Sequence, residues 1–316
     1  MFPPEAGPFL NSSRANSFPQ WRFSNHVRGR GEYDPSEGFG RDYRRFYDLD
    51  LGQRFLHVEH HKHELAVQIF KPSELLGTAL VLHGYYDHVG LYGHLIRYLL
   101  GKRLAVLAFD QQGHGLSSGA AATIASFDDY VEALVSVLES ESSGLPEPWH
   151  AVGQSMGASV LMEYMQRPEA RCFEHAVLLA PLIRPRRWPV NKLVYRLIKP
   201  FVKSLPRGVS RKSQNPEFKT LLKNDPLQAR ALPLQWVGAM ATWMERFERS
   251  ERMNIKPLVV QGGCDQTVNG VYNLSALRRL YDIELLEIPE ARHHLVNETA
   301  AIREQVWRFL DRHFVF

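Results

Sequence analysis

Val152-Gly153-Gln154-Ser155-Met156-Gly157-Ala158-Ser159 joins an apolar run that begins WHAV to an amphipathic one that continues VLMEYMQ. Glycines stand two residues to either side of Ser155. A serine in an ordinary polar loop needs no such flanks, whereas one forced into a tight strand-to-helix turn needs small neighbours because backbones crowd there. Gly153 to Gly157 fits G-x-S-x-G, the turn that lifts a serine hydroxyl above the edge of a sheet. Taken alone the pentapeptide also admits a plain Gly-Ser turn as the lesser reading, and its surroundings decide.

Outward from that turn the chain alternates. Extended RFLHVEHH and ELAVQIFKP lead to TALVLHG, a helix YGHLIRYLL, strand LAVLAFD, helix FDDYVEALVSVLES, the strand before Ser155, the helix after it, and strand HAVLLAPL. Apolar runs separated by amphipathic helices mean βαβ units, hence an α/β protein with a mostly parallel, twisted sheet flanked by helices. A long proline-punctuated stretch then intervenes before the pattern resumes with KPLVVQGGCD, helix NLSALRRLYD, strand IELLEIPE and a last helix AAIREQVWRFLDRHF. The expected organisation is an irregular N-terminal extension over 1–45, a core over 46–182 and 253–316, and a helical insertion over 183–252.

The chain of 316 residues, 44% of them hydrophobic, can bury one large core. Two cysteines, Cys172 and Cys264, build no disulfide framework, and the N-terminus lacks a basic region followed by an apolar one, so the cytoplasm is the expected location. The net charge of +4 is unevenly placed: Leu182 to Gln214 holds ten Lys or Arg and no Asp or Glu, leaving about −6 for the remainder. Without a recognition-helix or zinc-finger pattern this basicity does not point to nucleic acid.

A serine hydroxyl needs a base and an acid that orients the base. On this kind of sheet they should follow in the order Ser, Asp or Glu, His, after later strands. Asp265 comes straight after PLVVQGG, and His293 and His294 come shortly after IELLEIPE. All lie at carboxyl ends of strands, where open α/β sheets bind ligands. Asp265 alone could equally cap a turn in CDQT; its company with serine and histidine favours the catalytic reading. Spacing does not choose between the two histidines.

HGYYDH (83–88), FDQQGHGLSSG (109–119), GQSMG (153–157), QGGCDQTV (261–268) and EARHHLVNE (290–298) together resemble the monoacylglycerol lipase, lysophospholipase and serine-aminopeptidase-like branch of the α/β-hydrolases, over roughly Tyr47 to the C-terminus. The resemblance implies that the base is His293, since Glu290-Ala291-Arg292-His293 matches the family's G-A-x-H apart from its first residue. It implies an oxyanion hole from the backbone N–H groups of Tyr85 and Met156, and a helical cap inserted after the sixth strand. His83, Asp87, His88, Asp110 and His114 occupy motif positions and read more simply as loop-holding groups. HVEHHKH (57–63) carries four histidines without a carboxylate or cysteine cluster, so a metal is not expected there.

Within the insertion, Val190, Leu193, Val194, Leu197, Ile198 and Phe201 recur at helical spacing with Lys192, Arg196, Lys199 and Lys203 between them, and Pro200 should end or kink the helix. The plain reading packs the apolar side onto the core; the sharper one docks it on an anionic membrane. Trp236, Met240, Trp243 and Phe247 share one helical stripe, readable as core or as an acyl-chain wall. The expected function is a serine carboxylester hydrolase for monoacyl lipid esters, with no cofactor or metal. An iminopeptidase, amidase or acyltransferase on the same residues, or a non-catalytic binding protein, are the rivals. A peptide-cleaving relative would want cap carboxylates, for which only Glu217, Asp225 and Glu245 stand near.

Overall fold

The computed structural model describes residues 32–33, 39–207 and 212–314. A short edge strand β1 (Glu32–Tyr33) and helix α1 (Phe39–Phe46) lie within the stretch expected to be an irregular extension. That expectation is corrected for this helix, because Tyr43 plants a buried ring in the core; positions 1–31 and 34–38 fall outside the described residues. The hairpin β2 (Arg54–His60) and β3 (His63–Phe70) follows, then β4 (Gly77–Leu82), α2 (Gly93–Gly101), β5 (Leu104–Phe109), α3 (Asp128–Glu141), β6 (Trp149–Gln154), α4 (Met156–Met165) and β7 (His175–Leu179).

After β7 the chain leaves the sheet through α5 (Trp188–Ile198), β8 (Ser204–Pro206), α6 (Pro216–Asn224), β9 (Ala231–Pro233) and α7 (Leu234–Phe247). It returns as β10 (Leu258–Gly262), α8 (Gly270–Leu280), β11 (Glu284–Ile288) and α9 (Ala300–Asp311). The main sheet runs β1-β2-β3-β5-β4-β6-β7-β10-β11; from β5 to β11 every pairing is parallel, while β1, β2 and β3 are antiparallel additions. β7 is thus the sixth strand of the resemblance, counted past β1.

β4, β5 and β6 are buried at every residue, as a parallel sheet covered on both faces requires. Alternate side chains feed two cores: Leu80, Leu82, Leu107 and Phe109 enter one, Ala79, Val81, Val106 and Ala108 the other. The chain goes from β4 outward to β5 and then back across to β6, so the loops after β4 and β6 sit side by side at a topological switch point.

α5 stops at Ile198, two residues before Pro200, as a missing N–H and a ring clash dictate. Its orientation corrects the plain reading. Val190, Leu193, Leu197 and Phe201 are 61%, 60%, 64% and 85% exposed, and it is Trp188, Tyr195 and Ile198 that turn inward. Both faces carry apolar residues, and the aromatic one wins the core. Among the described residues no helix is long and apolar enough to cross a membrane.

Candidate active site

Ser155 occupies the junction of β6 and α4 with φ 54° and ψ −112°, outside the regions open to most side chains. Its N–H donates to the Leu179 carbonyl (2.9 Å) and its own carbonyl accepts from Leu182 (3.2 Å), so neighbouring backbone holds the strained turn. The flanking glycines are now explained. A Cβ on Gly157 would run into the Leu82 carbonyl of β4, and one on Gly153 would lie 2.6 Å from the Ala158 nitrogen. Only hydrogen fits where strand and helix meet this closely.

His293 Nε2 lies 2.9 Å from Ser155 Oγ and Nδ1 lies 2.7 Å from Asp265 Oδ2. Asp265 Oδ1 accepts from the amides of Thr267 (2.7 Å) and Val268 (3.1 Å). Burial works to raise the Asp265 carboxyl, but the His293 ring and those two amides outweigh it and hold the carboxyl below its ordinary range. An ionised Asp265 requires Nδ1 to carry the proton and leaves Nε2 free to accept one from the serine. Met156 begins α4, so its N–H has no partner within the helix, and Tyr85 follows His83-Gly84 at the end of β4, across the switch point.

His294 turns away from Ser155. Its Nε2 lies 3.1 Å from Asp87 Oδ2, its ring packs 4.7 Å from that of Phe218, and its N–H donates to the Lys212 carbonyl. Burial drives Asp87 upward, yet Lys212 and His294 prevail and hold it well below the usual carboxylate range. The other motif residues hold loops: His83 Nδ1 donates to Gly84 O (2.8 Å) and Nε2 accepts from Gln111 N (2.8 Å), which burial stabilises by lowering the ring to about 4. Asp110 accepts from the amides of Val89 and Leu116, His114 bonds the Gln112 carbonyl, and His88 bonds Asp225 (2.9 Å). In the histidine-rich hairpin, His60 is buried and bonds Ser136 (2.9 Å).

Ser155 and His293 open into a cavity of about 390 Å³ walled by Tyr85, Leu182, Trp188, Ile198, Trp236 and Met240. The stripe read from α7 divides. Trp236 stacks on Tyr85 at 3.6 Å and Met240 joins it on the wall, whereas Trp243 and Phe247 do not reach this cavity. Trp243 stacks between Phe127 (4.5 Å) and Phe247 (4.9 Å) and donates Nε1 to Glu163, which corrects their reading as acyl-chain contacts. A helix of this length spans beyond one cavity, and its C-terminal half belongs to the core. A larger open cleft of about 1010 Å³ between α5, α7 and residues 123–127 does not include Ser155.

Sequence reasoning passed over the Tyr85 side chain, Trp188, Tyr195, Arg207 and Lys212, all on the cavity wall. For Trp188 and Tyr195 a signal existed: with Ile198 they recur at i, i+7 and i+10, a second stripe on α5. For Arg207 and Lys212 there was none, since they sit amid other cations.

The sheet order, the elbow at Ser155 and the later strand ends that carry Asp265 and His293 define an α/β-hydrolase, and the protein is a serine hydrolase. A family model described as serine aminopeptidase, S33, matches residues 73–300, and the chain belongs to that family. It is similar to human monoglyceride lipase, 29% identical over 230 residues that make up 69% of this chain and 75% of the relative. It is also similar to the monoacylglycerol lipase of Mycolicibacterium smegmatis, 25% identical over 234 residues, 70% of this chain and 82% of that one. Among solved structures, a soluble variant of Saccharomyces cerevisiae monoglyceride lipase in complex with a substrate analog superposes with a TM-score of 0.72 at 18% identity, covering 85% of this chain and 99% of that one. Paleococcus ferrophilus monoacylglycerol lipase gives 0.66 at 22% identity, covering 79% and 99%.

Proposed function

We propose that the protein is a carboxylester hydrolase for single-chain lipid esters, monoacylglycerols or lysophospholipids, and works through an acyl-enzyme. The observation that supports this is that Ser155 and His293 open into a cavity whose wall is aromatic and aliphatic. In this reading Ser155 Oγ attacks the ester carbonyl while His293 Nε2 takes its proton. The N–H groups of Tyr85 and Met156 receive the oxyanion. His293 then returns the proton to the departing alkoxide, and water repeats the sequence to free the fatty acid. Asp265 keeps the ring oriented, and the segment 183–252 acts as the cap that bounds the acyl site.

The aminopeptidase rival needs a carboxylate for the substrate ammonium. Among the described residues the cavity wall has no Asp or Glu. Asp225 is buried on His88 and Tyr47, Glu245 pairs with Lys192 at the surface (2.6 Å), and Glu217 starts α6 away from the cavity. Relatives named monoglyceride lipase and monoacylglycerol lipase support the same substrate class. A fluorophosphonate should label the wild type and not Ser155→Ala, and monoacylglycerols should be cleaved far faster than aminoacyl amides. Labelling without ester turnover, or faster amide cleavage, would overturn the reading. We also propose that the exposed apolar row of α5 and the residues just after it, with Lys192, Arg196, Lys199 and Lys203, make peripheral contact with an anionic membrane, which carries complementary charge.

A further inference from the structure

Two cations stand on the wall of the Ser155 cavity with no part in acyl transfer as described. The Arg207 guanidinium lies 4.2 Å from the centre of the Tyr86 ring, and Nη1 donates to Gln228 Oε1 and to the Ala229 carbonyl (3.2 Å). Those partners are all uncharged. Lys212 is 8% exposed, and its Nζ lies 5.8 Å from the same Tyr86 ring. An ammonium has three protons to place, and the polar contacts of this one are long: 3.4 Å to the Tyr85 carbonyl and 3.5 Å to Asp87 Oδ1. Asp87 is further divided, for its other oxygen serves His294 (3.1 Å) and Tyr92 (3.2 Å). Burial pushes the Lys212 ammonium below its ordinary range, with Asp87 resisting and Arg207 adding repulsion, and both cations flank the same Tyr86 ring.

A neutral glycerol head seated there would shield both cations from water, leaving Arg207 with uncharged partners and Lys212 with only its long contact to the shared Asp87 carboxylate, which is unfavourable. An anion between them removes the mutual repulsion and completes the Lys212 contacts. A phosphate monoester carries close to two negative charges at neutral pH and three acceptor oxygens, matching one planar fork and one point charge. Lys212 also approaches the carbonyl of Tyr85, the residue whose N–H is assigned to the oxyanion, so this charge lies beside the loop that would hold the ester.

Resting on the reading of Ser155 as an ester-cleaving nucleophile, we propose that the substrate is an anionic single-chain ester, an acyl glycerol phosphate. Its phosphate is held between Arg207 and Lys212 and its acyl chain lies along Trp188, Trp236 and Met240. Hydrolysis breaks the acyl C–O bond, adds one water and releases a fatty acid and glycerol phosphate, with no other reactant.

The test compares octanoyl glycerol with octanoyl glycerol 3-phosphate, both kept as monomers so that the basic surface of α5 plays no part. The quantity read is the ratio of kcat/KM, phosphate over neutral. Charged hydrogen bonds of this kind support a wild-type ratio of about ten to a hundred. Arg207→Gln, at the half-exposed side of the cavity, should bring the ratio down about ten-fold, and Lys212→Met supplies a second, buried variant read the same way. A wild-type ratio of one or less, or a ratio untouched by both substitutions, overturns the anionic-substrate proposal while leaving ester hydrolysis standing. Cleavage of neither ester overturns the hydrolase reading and this proposal with it.

Discussion

His293 spends both ring nitrogens on Ser155 and Asp265, at 2.9 and 2.7 Å, while His294 spends Nε2 on Asp87 beneath the Phe218 ring. Their substitutions should therefore part company. His293→Ala is expected to lower kcat by about three orders of magnitude or more, as deletion of a triad base does. His294→Ala should cost stability, since it takes from the buried Asp87 carboxylate its contact at 3.1 Å, but far less in turnover. Steady-state kinetics on folded protein check this, and the opposite ranking would move the base to His294. Asp265→Asn preserves the shape of the site but favours the wrong tautomer, so turnover should fall about 10⁴-fold if the serine-protease magnitude transfers; near-normal activity would mean that another group orients the ring. Ser155, Asp265 and the histidine pair were readable in the sequence because each sits at a strand end in a set chain order, while the choice of His293 over His294 came from the resemblance. The Tyr85 side chain was not, because its stack on Trp236 joins positions far apart in the chain, and no local pattern announces such a meeting.

At the scale of the element, α5 is the place where pattern and structure diverged. A stripe of Val190, Leu193, Leu197 and Phe201 ordinarily marks a buried face, and here it faces water because Trp188, Tyr195 and Ile198 occupy the opposite side. Periodicity finds stripes; it does not rank two of them on one helix. Of the four cations interleaved with the row, Lys192 is already paired with Glu245. Each basic residue at an anionic bilayer contributes about 1 kcal/mol, screened within a Debye length, so attachment should be reversible and salt-sensitive. Co-sedimentation with anionic and neutral vesicles is expected to show binding to the former only, lost at high salt. It should also weaken when Lys192, Arg196, Lys199 and Lys203 become Gln, and when Leu197 and Phe201 become Ser. Equal, weak binding of all proteins to both vesicle types would leave α5 as a wall of the cavity and nothing more.

Across the whole molecule, the insertion is fastened to the core by Asp225, which receives the Tyr47 hydroxyl (2.6 Å) and faces His88 (2.9 Å), all buried. Burial would lower His88, but Asp225 overrides it and raises the ring above its usual 6.5; burial would raise Asp225, but His88, Tyr47 and the Leu227 amide hold it below 3.8. The Asp225 contribution is present above its unfolded value and fades as pH falls through the lowered one. The His88 contribution is full below 6.5 and is lost as pH rises through the raised one. Asp225→Asn should thus destabilise most, by about 3 kcal/mol, between the two ordinary values, with the gap to wild type narrowing in acid and in base. Thermal melts across pH measure it, and a pH-independent gap would show that the pair is not charged. The alternation of strands and helices and the existence of the insertion were legible because βαβ alternation stops at Leu182 and resumes after Arg252; the fastening was not, because Tyr47, His88 and Asp225 lie on three separate stretches of chain. The lopsided charge has a consequence for motion in solution. Ten cations and no anions between Leu182 and Gln214, against about −6 elsewhere, make the molecule an electric dipole with its positive pole in the insertion. In the field of an anionic interface such a body would feel a torque before it touched, so under the proposed membrane contact it would arrive with the insertion leading. Ionic strength should therefore slow its arrival while leaving its departure, governed by the apolar row, nearly constant.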